Sequence, residues 1–459
     1  MDTQRAMPAS FILRNANVLD ESGGFGERLD VAVENGIVSE VGGDVTLPDA
    51  PSIDFSDRWL MPGVFDCHLH IASSSLDAME LMRTPITQWA LETARNMRKT
   101  LECGVTFVRD AGGADAGMRD SIARGFVPGP RLQVAVVAMS QTGGHIDGFL
   151  PGPGFEMSAD YVIPDFPGRP PCVVDGIDDM RKVVRETLRA GADWIKLCTT
   201  GGILSAHDDG DIPEFTIEEI AVAVFEAERR GKGVMVHAFG GEGIDNAIEA
   251  GVRTIEHGIF LTDDQAKRMA AAGISLVPTL AVIRDVMRWA KAGLVPDYAV
   301  EKALAIEPRI GAAVRTAKEH GVHIALGTDY VERGEHGRNL EEIWLMHEAG
   351  LTPEEALLAA TIRGAELCGV ADRYGRIAPG YVFDAIALDQ DPSDPSIFAE
   401  PGAVVSVFKG GEAVLPDPRL TGAAPRRERA RADAGAPRGA GARLRGSRRL
   451  EARPRRTRA

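Results

Sequence analysis

The sequence predicts an α/β protein in which a parallel (β/α)8 barrel is inserted into a small, discontinuous β domain. Eight short apolar segments alternate with amphipathic helical segments between about residues 64 and 370, as strands and helices do in a barrel. A β-type alternation precedes this region and returns after it. The predicted domains are residues 1–60 with 375–416 for the β domain, 61–374 for the barrel, and 417–459 for a disordered tail.

The β domain is predicted from two separated stretches of the chain. Residues 8–60 show alternating patterns that are broken by Gly, Asn and Asp, which suits an antiparallel sheet. The segments FDAIALDQD and AVVSVFKGGEAVL, after residue 380, have the same character. We therefore expect them to rejoin the N-terminal sheet.

The barrel is predicted from short apolar runs separated by helical patterns. Segments such as IDDMRKVVRETLRAGA and TIEEIAVAVFEAERRGK have apolar residues at helical spacing. Residues 140–175 follow the third strand and are rich in Gly and Pro, so we expect them to cover the substrate. The candidate strands are residues 64–71, 105–110, 132–139, 193–199, 233–239, 253–257, 275–280 and 323–328.

Composition limits the classes of function. The chain has 459 residues and a formal net charge of −16, and this acidic balance argues against nucleic acid or an anionic membrane as partner. It contains no apolar run of roughly 18 residues and no secretory signal pattern. Its five cysteines include no CxxC pair. We therefore expect a cytoplasmic protein that acts on a small molecule.

The tail at 417–459 has the opposite charge, with fourteen arginines and four acidic residues. It cannot bury a core, so we expect it to be disordered. Two interpretations stay open. In the first, the tail is an electrostatic arm that binds nucleic acid or an acidic surface. In the second, it is an appendage encoded by a shifted reading frame of GC-rich DNA.

Six side chains suited to metal binding lie in the apolar segments, mostly at their carboxyl ends, where barrels place their active sites. His68 and His70 are two residues apart on one predicted strand, so both imidazoles project to one side. Neutral imidazole and carboxylate suit Zn, Mn, Co or Fe and leave positions open for water. We predict a two-metal hydrolytic site. Its ligands are His68, His70, Lys196, His237, His257 and Asp329.

Lys196 lies among apolar residues in ADWIKLCT, where burial disfavours the charged ammonium. One interpretation is an ordinary lysine that points outward at a strand end. The other is an amine of lowered pKa that reacts with carbon dioxide, since the two oxygens of a carbamate could bridge two cations. Asp329, near the end of IALGTDY, is predicted to bind metal and to transfer protons.

Over about residues 8–415 the sequence resembles the amidohydrolase superfamily, in its imidazolonepropionase-like and Xaa-Pro dipeptidase-like branch, which includes phenylurea and thiocarbamate hydrolases. The motifs PGVFDCHLH, GADWIKLCTTGGILS, VHAFG, TIEHG, GTDY and GRIAPGYVFDAIALD carry this resemblance. It implies a TIM-like (β/α)8 barrel with an accessory β-sandwich. By analogy with this fold, we also expect a homo-oligomer.

The resemblance further implies how the side chains are used. His145, in the GGH segment, matches a residue that polarises the scissile carbonyl. Zinc is the first expected metal, with iron, cobalt or manganese as alternatives, and a site with a single ion stays open. The implied ligand sets are His68, His70 and Asp329 for one ion, His237 and His257 for the other, and carboxylated Lys196 as the bridge.

Three further residues are predicted to contact the substrate. Phe239 stands where dipeptide-cleaving relatives often have Tyr, whose phenol helps to hold the substrate carboxylate, so a hydroxyl donor is lost here. Arg338 could still bind a carboxylate, and His207 could line the pocket after the fourth strand. The remaining histidines, predicted to be helix or surface residues, are His320, His323, His336 and His347.

The predicted function is hydrolysis of an amide-type C–N bond by metal-activated water, in an amide, urea or carbamate such as a phenylurea or thiocarbamate xenobiotic. Two alternatives stay open. One is a Xaa-Pro-type dipeptidase, an N-acyl amino acid hydrolase or an imidazolonepropionase-like hydrolase of cyclic amides. The other is a catalytically silent binding protein on the same fold.

Overall fold

The structure is a computed structural model that describes residues 9–150, 155–156, 168–206 and 208–415. His207, predicted to line the substrate pocket, lies outside the described residues, as do the Arg-rich tail and much of the predicted substrate-covering loop. Within the described ranges, no helix has the length and apolar character needed to cross a membrane.

One eight-stranded sheet combines strands from both ends of the chain. Its strands are β1 (Ser10–Val18), β2 (Leu29–Glu34), β3 (Ile37–Gly42), β4 (Ser52–Asp54), β5 (Trp59–Pro62), β16 (Ala385–Leu388), β17 (Val404–Lys409) and β18 (Glu412–Leu415). The N-terminal and C-terminal strands meet where β5 pairs antiparallel with β16. Phe11, Phe383 and Phe408 pack together in its core, with ring centroids 5.2 to 6.1 Å apart. The expected rejoining of the C-terminal segments to the N-terminal sheet is therefore present.

Parallel strands form two further sheets, one of three and one of five strands. Their residues are buried almost without interruption, because a parallel sheet is covered on both faces. The three-stranded sheet contains β6 (Val64–Leu69), β7 (Val105–Asp110) and β8 (Arg131–Val134). The five-stranded sheet contains β9 (Ala138–Met139), β12 (Trp194–Cys198), β13 (Gly233–Ala238), β14 (Thr254–His257) and β15 (Ser275–Val277). A separate two-stranded ladder is made by β10 (Phe149–Leu150) and β11 (Phe155–Glu156).

Two predicted strands are corrected by the structure. Residues 132–139 form β8 and β9 as separate strands, because Val136 between them has a left-handed backbone with a φ of 68°. Residues 323–328 form only a single bridge, because Leu326 donates its N–H to Ala359 O at 3.1 Å and not to a neighbouring strand. The other six predicted strands are present, with ends shifted by up to three residues.

Backbone hydrogen bonds connect the two parallel sheets at both of their seams. At one seam Asp193 N–H donates to Val134 O at 2.7 Å. At the other, residues 323–328 lie between the sheets: Leu326 O accepts from Cys67 N–H at 2.8 Å, and Ala325 N–H donates to Leu276 O at 3.1 Å. Strand pairing among the described residues leaves the two sheets as separate pieces. The α/β class with parallel strands is therefore confirmed, while closure into a barrel stays a prediction.

Amphipathic helices cover the parallel sheets. In α4, the residues Met180, Val183, Val184 and Thr187 are buried at helical spacing, which places one apolar stripe against the core. Thr216 begins α5 with a capping box that satisfies free backbone N–H groups. The helices are α1 (Ala78–Arg83), α2 (Ile86–Glu102), α3 (Ala116–Ala123), α4 (Gly176–Arg189), α5 (Ile217–Glu228), α6 (Gly241–Ala250), α7 (Asp263–Ala272), α8 (Leu280–Ala292), α9 (Asp297–Ile306), α10 (Ala312–Glu319), α11 (Glu341–Glu348), α12 (Pro353–Ala360) and α13 (Ile362–Leu367).

Replacing Phe11 with alanine should lower the apparent free energy of unfolding by about 3–5 kcal/mol, because its ring is fully buried against Phe383 and Phe408. Urea titration followed by circular dichroism measures the change. Leu91→Ala is the control, since Leu91 is 73% exposed, and it should change stability by less than about 0.5 kcal/mol. Equal losses in the two variants would contradict a packed phenylalanine core.

Candidate active site

His68 of β6 and His70, which directly follows this strand, face one carboxylate. His68 Nε2 and His70 Nε2 lie 3.3 and 3.2 Å from Asp329 Oδ1. The two imidazoles share one side of the strand because side chains alternate along it. Cys67, which directly precedes His68, points the other way, with its Sγ 3.9 Å from Cys368 Sγ. Two imidazoles and a carboxylate thus converge on one point, as ligands of a shared cation do.

His237 is the penultimate residue of β13 and His257 is the last residue of β14, and their ring centroids lie 4.5 Å apart. His237 Nε2 lies 3.1 Å from Gly201 O, and His257 Nδ1 lies 2.7 Å from Thr279 Oγ1. These contacts use one nitrogen of each ring and leave the other for a ligand role. Burial holds the pKa of both imidazoles well below the usual range, which favours the neutral form that binds metal.

Lys196 extends from β12 into the same pocket and is only 3% exposed. Its Nζ has no hydrogen-bond partner among the described residues, which is unusual for a buried amine. Burial lowers the pKa of this amine, although the Glu256 carboxylate opposes the shift. An unpartnered amine that favours its neutral form fits the predicted carbamate, and the surrounding imidazole and carboxylate donors fit divalent cations.

Three donor atoms that lie close together come from both of the predicted ligand sets. His68, His257 and Asp329 each place one donor atom within 4.8 Å of the others. The ring of His70 lies 5.6 Å from that of His68, and the ring of His237 lies 4.5 Å from that of His257. The groups predicted for two ions therefore form one compact centre.

Three residues other than glycine have a left-handed backbone at this centre. The φ angle is 57° at Asp329, 70° at His257 and 50° at Thr279. Such conformations cost of order 1–3 kcal/mol each and cluster at functional sites. Burial alone would raise the pKa of Asp329, but His68 and His70 together lower that pKa well below the usual range. The carboxylate is therefore ionised at neutral pH.

A buried ion chain behind His68 was not predicted from the sequence. His68 Nδ1 lies 2.7 Å from Glu256 Oε2, and Arg109 Nη2 lies 2.9 Å from Glu256 Oε1. Glu256 and Arg109 are fully buried. Burial raises the pKa of Glu256, but Arg109 and His68 lower it to about 2. The sequence does contain a signal for this pair. Arg109 in VTFVRD and Glu256 in RTIEH each place a charge within an apolar strand, and a buried charge requires a partner.

His145 and Phe239 stack beside His237. The ring centroid of His237 lies 4.1 Å from that of His145 and 4.9 Å from that of Phe239. The backbone N–H of His145 donates to Glu214 Oε1 at 2.6 Å, which holds the loop after β9 over the pocket. The apolar walls of this pocket are formed by Leu76, Ile146, Ile203, Leu204, Phe239, Val282, Ile283, Val286 and Val331.

A comparison with known protein families agrees with this arrangement of side chains. A model of the Amidohydrolase family matches residues 59–414. The chain belongs to the amidohydrolase family. Ochratoxinase of Aspergillus niger is 34% identical over 363 residues, which cover 77% of this chain and 75% of that protein.

Solved structures with the same fold include a prolidase complexed with N-methylphosphonate-L-proline, at a TM-score of 0.82 and 32% identity over 88% of this chain and 99% of that chain. A Xaa-Pro dipeptidase with methionine bound in its active site has a TM-score of 0.78 at 31% identity, over 88% and 99% of the two chains. Phenylurea hydrolase B has a TM-score of 0.69 at 22% identity, over 91% and 100%, which shows a shared fold alone.

These similarities test two predictions made from the sequence. The amidohydrolase is a hydrolase of carbon–nitrogen bonds, so the silent binding protein is no longer an alternative. Its predicted relation to the Xaa-Pro dipeptidase-like branch is confirmed, and its relatives imply a TIM-like α/β fold.

Two basic residues have surroundings that differ from those predicted from the sequence. Arg338 is absent from the pocket lining among the described residues, because its guanidinium is paired with Asp285 at 3.3 Å and with Glu341 at 2.9 Å. Its position gives no support to a role in binding the substrate carboxylate. His336, expected to be a helix or surface residue, is only 3% exposed, and its Nε2 lies 2.9 Å from Ser73 O. Burial lowers the pKa of His336 to about 4.

Glu256→Gln should lower the apparent free energy of unfolding of the amidohydrolase by about 3–5 kcal/mol, because Arg109 stays charged and buried without its carboxylate. Metal affinity should fall about 10–100-fold, since the glutamine amide has one acceptor oxygen where the carboxylate offers two to His68 and Arg109. Denaturant titration and competition with a chelator measure these effects.

Glu102→Gln is the matched control for this carboxylate. Glu102 forms a pair with Arg98 on the surface of α2 at 2.8 Å, so the change should cost no more than about 0.5 kcal/mol. Unaltered metal affinity in Glu256→Gln would show that this carboxylate does not support His68.

Proposed function

We propose that the protein is a metal-dependent hydrolase that cleaves an amide-type C–N bond in a small, apolar substrate. The observation that carries the proposal is the convergence of four imidazoles, the Asp329 carboxylate and the unpartnered Lys196 Nζ in one apolar pocket. Two divalent cations would occupy this centre, with Lys196 carboxylated as their bridge. Zinc is proposed first, ahead of iron, cobalt or manganese, and a single ion is the alternative.

The residues of the pocket suit the hydrolysis of a carbonyl compound. Bound divalent cations would supply water of lowered pKa and would polarise a carbonyl oxygen. Asp329, ionised beside His68 and His70, can take the proton of the attacking water and return it to the leaving amine. His145, stacked on His237, can donate a hydrogen bond to the carbonyl oxygen as negative charge develops there.

The pocket walls favour an uncharged group next to the scissile bond. Among the described residues of the lining, Lys196 is the one Lys or Arg, and it belongs to the metal centre. Phe239 offers no hydroxyl to a carboxylate. Neutral amides, ureas and carbamates match such walls, because an unpaired carboxylate is costly to bury.

A second candidate is hydrolysis of Xaa-Pro dipeptides or N-acyl amino acids. Identities of 31% to 34% with the Xaa-Pro dipeptidase, the prolidase and ochratoxinase support it. These substrates carry a carboxylate, so their binding would require a cationic or hydroxyl partner from beyond the described lining. The two candidates therefore differ in the charge that the pocket must accept.

The proposal extends to the architecture around the site. The hydrogen bonds at both seams support closure of the parallel sheets into a (β/α)8 barrel of residues 61–374. The shared eight-stranded sheet supports a discontinuous β-sandwich of residues 1–60 and 375–416. A disordered tail at 417–459, a cytoplasmic location and a homo-oligomer stay predictions.

Lys196→Ala should lose at least one equivalent of bound metal and reduce kcat/KM by more than about 100-fold, because the bridging oxygens are removed. Elemental analysis of purified protein and turnover of a substrate panel measure both quantities. Added acetate or propionate should restore part of the metal content, since a free carboxylate replaces the missing oxygens.

Lys318→Ala is the control for this substitution, because it removes contacts outside the pocket lining, a pair with Glu355 at 2.7 Å and a hydrogen bond to Gly350 O at 3.0 Å. Metal content and rate should match those of the unaltered protein. A Lys196→Ala protein with full metal content and a normal rate would rule out the bridging role.

Phe239→Tyr should raise kcat/KM on N-acyl amino acids about tenfold relative to neutral anilides, because a phenol adds a hydrogen-bond donor for the substrate carboxylate. Both proteins are assayed on Xaa-Pro dipeptides, N-acyl amino acids, aryl ureas and carbamates. Phe239→Leu is the control, since it changes the wall without adding a donor. An unaltered protein that prefers Xaa-Pro dipeptides over every neutral compound would establish the second candidate.

A further inference from the structure

Lys302 of α9 is bound to the loop that lies behind His145. Its Nζ donates to Gly202 O at 3.1 Å, to Ser205 O at 3.0 Å and to Asp208 Oδ1 at 3.1 Å, and it also contacts Asp208 O. One ammonium group is thus surrounded by oxygens of a single loop. Because backbone and side-chain oxygens both take part, the contacts fix the path of the loop as well as the Asp208 carboxylate.

The same loop orients the imidazole of His145. His145 Nδ1 lies 2.9 Å from Ser205 Oγ and 3.5 Å from Asp208 Oδ2. The Ser205 hydroxyl has one proton, which it donates to Asp208 Oδ1 in a short contact. Its oxygen is therefore an acceptor for His145 Nδ1–H. This arrangement turns Nδ1 toward the loop and leaves Nε2 for the pocket.

Close packing leaves the ring and the carboxylate little freedom. A Cβ added at Gly202 would lie 2.3 Å from His145 Cε1, and a Cβ added at Gly201 would lie 2.4 Å from Asp208 Cγ. Both side chains therefore lie directly against the loop backbone, with no space for an ordinary side chain between them. A displacement of the loop would move the imidazole with it.

We propose that Lys302 is a positioning residue: by fixing Gly202, Ser205 and Asp208, it sets the orientation of the His145 imidazole toward the substrate carbonyl. The inference rests on the role of His145 in the proposed function. Lys302 is not among the described residues that line the pocket, so it acts through the loop and not on the substrate.

The test compares Lys302→Met, which keeps the chain length and removes the charge, with the unaltered metal-loaded protein. We expect kcat to fall about tenfold or more, with KM within about twofold and an unchanged metal content. Lys302→Arg should recover part of kcat, because a cation is restored. Adding Lys302→Met to His145→Ala should cause no further loss, since the residue that it positions is already absent.

Hydrogen–deuterium exchange needs no turnover, so it tests the positioning role of Lys302 independently of the proposed function. Hydrogen–deuterium exchange of residues 199–209 should rise in Lys302→Met. It should not rise in Lys291→Met, the control, because Lys291 pairs with Glu307 at 2.5 Å on the exposed side of α8.

Three outcomes have distinct meanings. Unchanged exchange and unchanged kcat in Lys302→Met would overturn the positioning role. A multiplicative loss in the double variant would also overturn it, because Lys302 would then act independently of His145. Increased exchange in a protein that hydrolyses nothing on the substrate panel would support the attachment of the loop by Lys302 and would contradict the proposed function.

Discussion

The Glu256 carboxylate is the constraint on which the rest of the site depends. It accepts from His68 on one side and from Arg109 on the other, in a region without exposure to solvent. The same guanidinium donates to Cys67 O at 2.5 Å and packs on Trp194 at 4.6 Å. One buried ion pair thus connects strands of both parallel sheets and at the same time orients the imidazole of His68. Two charges that would each be costly to bury alone become tolerable together.

The sequence predicted the parts of the site that depend on local chain geometry. An HxH pair on a strand, a lysine within an apolar strand and histidines at two further strand ends carry their spacing in the sequence itself. Glu256, Arg109 and Thr279 escaped prediction because their roles come from neighbours on other strands. The segment 323–328 failed as a strand for a similar reason, since the partner of Leu326 N–H is Ala359 O in a distant helix. His336 was misplaced because nothing in its local pattern records burial by other segments.

The helices after β15 contribute to the pocket in two ways. Val282, Ile283 and Val286 of α8 line the pocket, while Lys302 of α9 holds the loop whose Ile203 and Leu204 also line it. Two neighbouring helices of the chain thus contribute to the lining of the pocket and to the position of the loop that contacts His145. Of the proposed metal ligands, His68, Lys196, His237 and His257 lie on strands, whereas the groups proposed to select and orient the substrate lie mostly on helices and loops.

The antiparallel pairing of β5 with β16 has a consequence for biosynthesis. These neighbours in space are separated by more than 300 residues of chain. A ribosome adds about 5–20 residues per second, so the edge of β5 waits on the order of tens of seconds for its partner. During that interval the nascent polypeptide presents an unpaired apolar edge, which is a template for aggregation. The strands of residues 10–62 are thus translated long before β16, and the sheet that they share with it is completed only then.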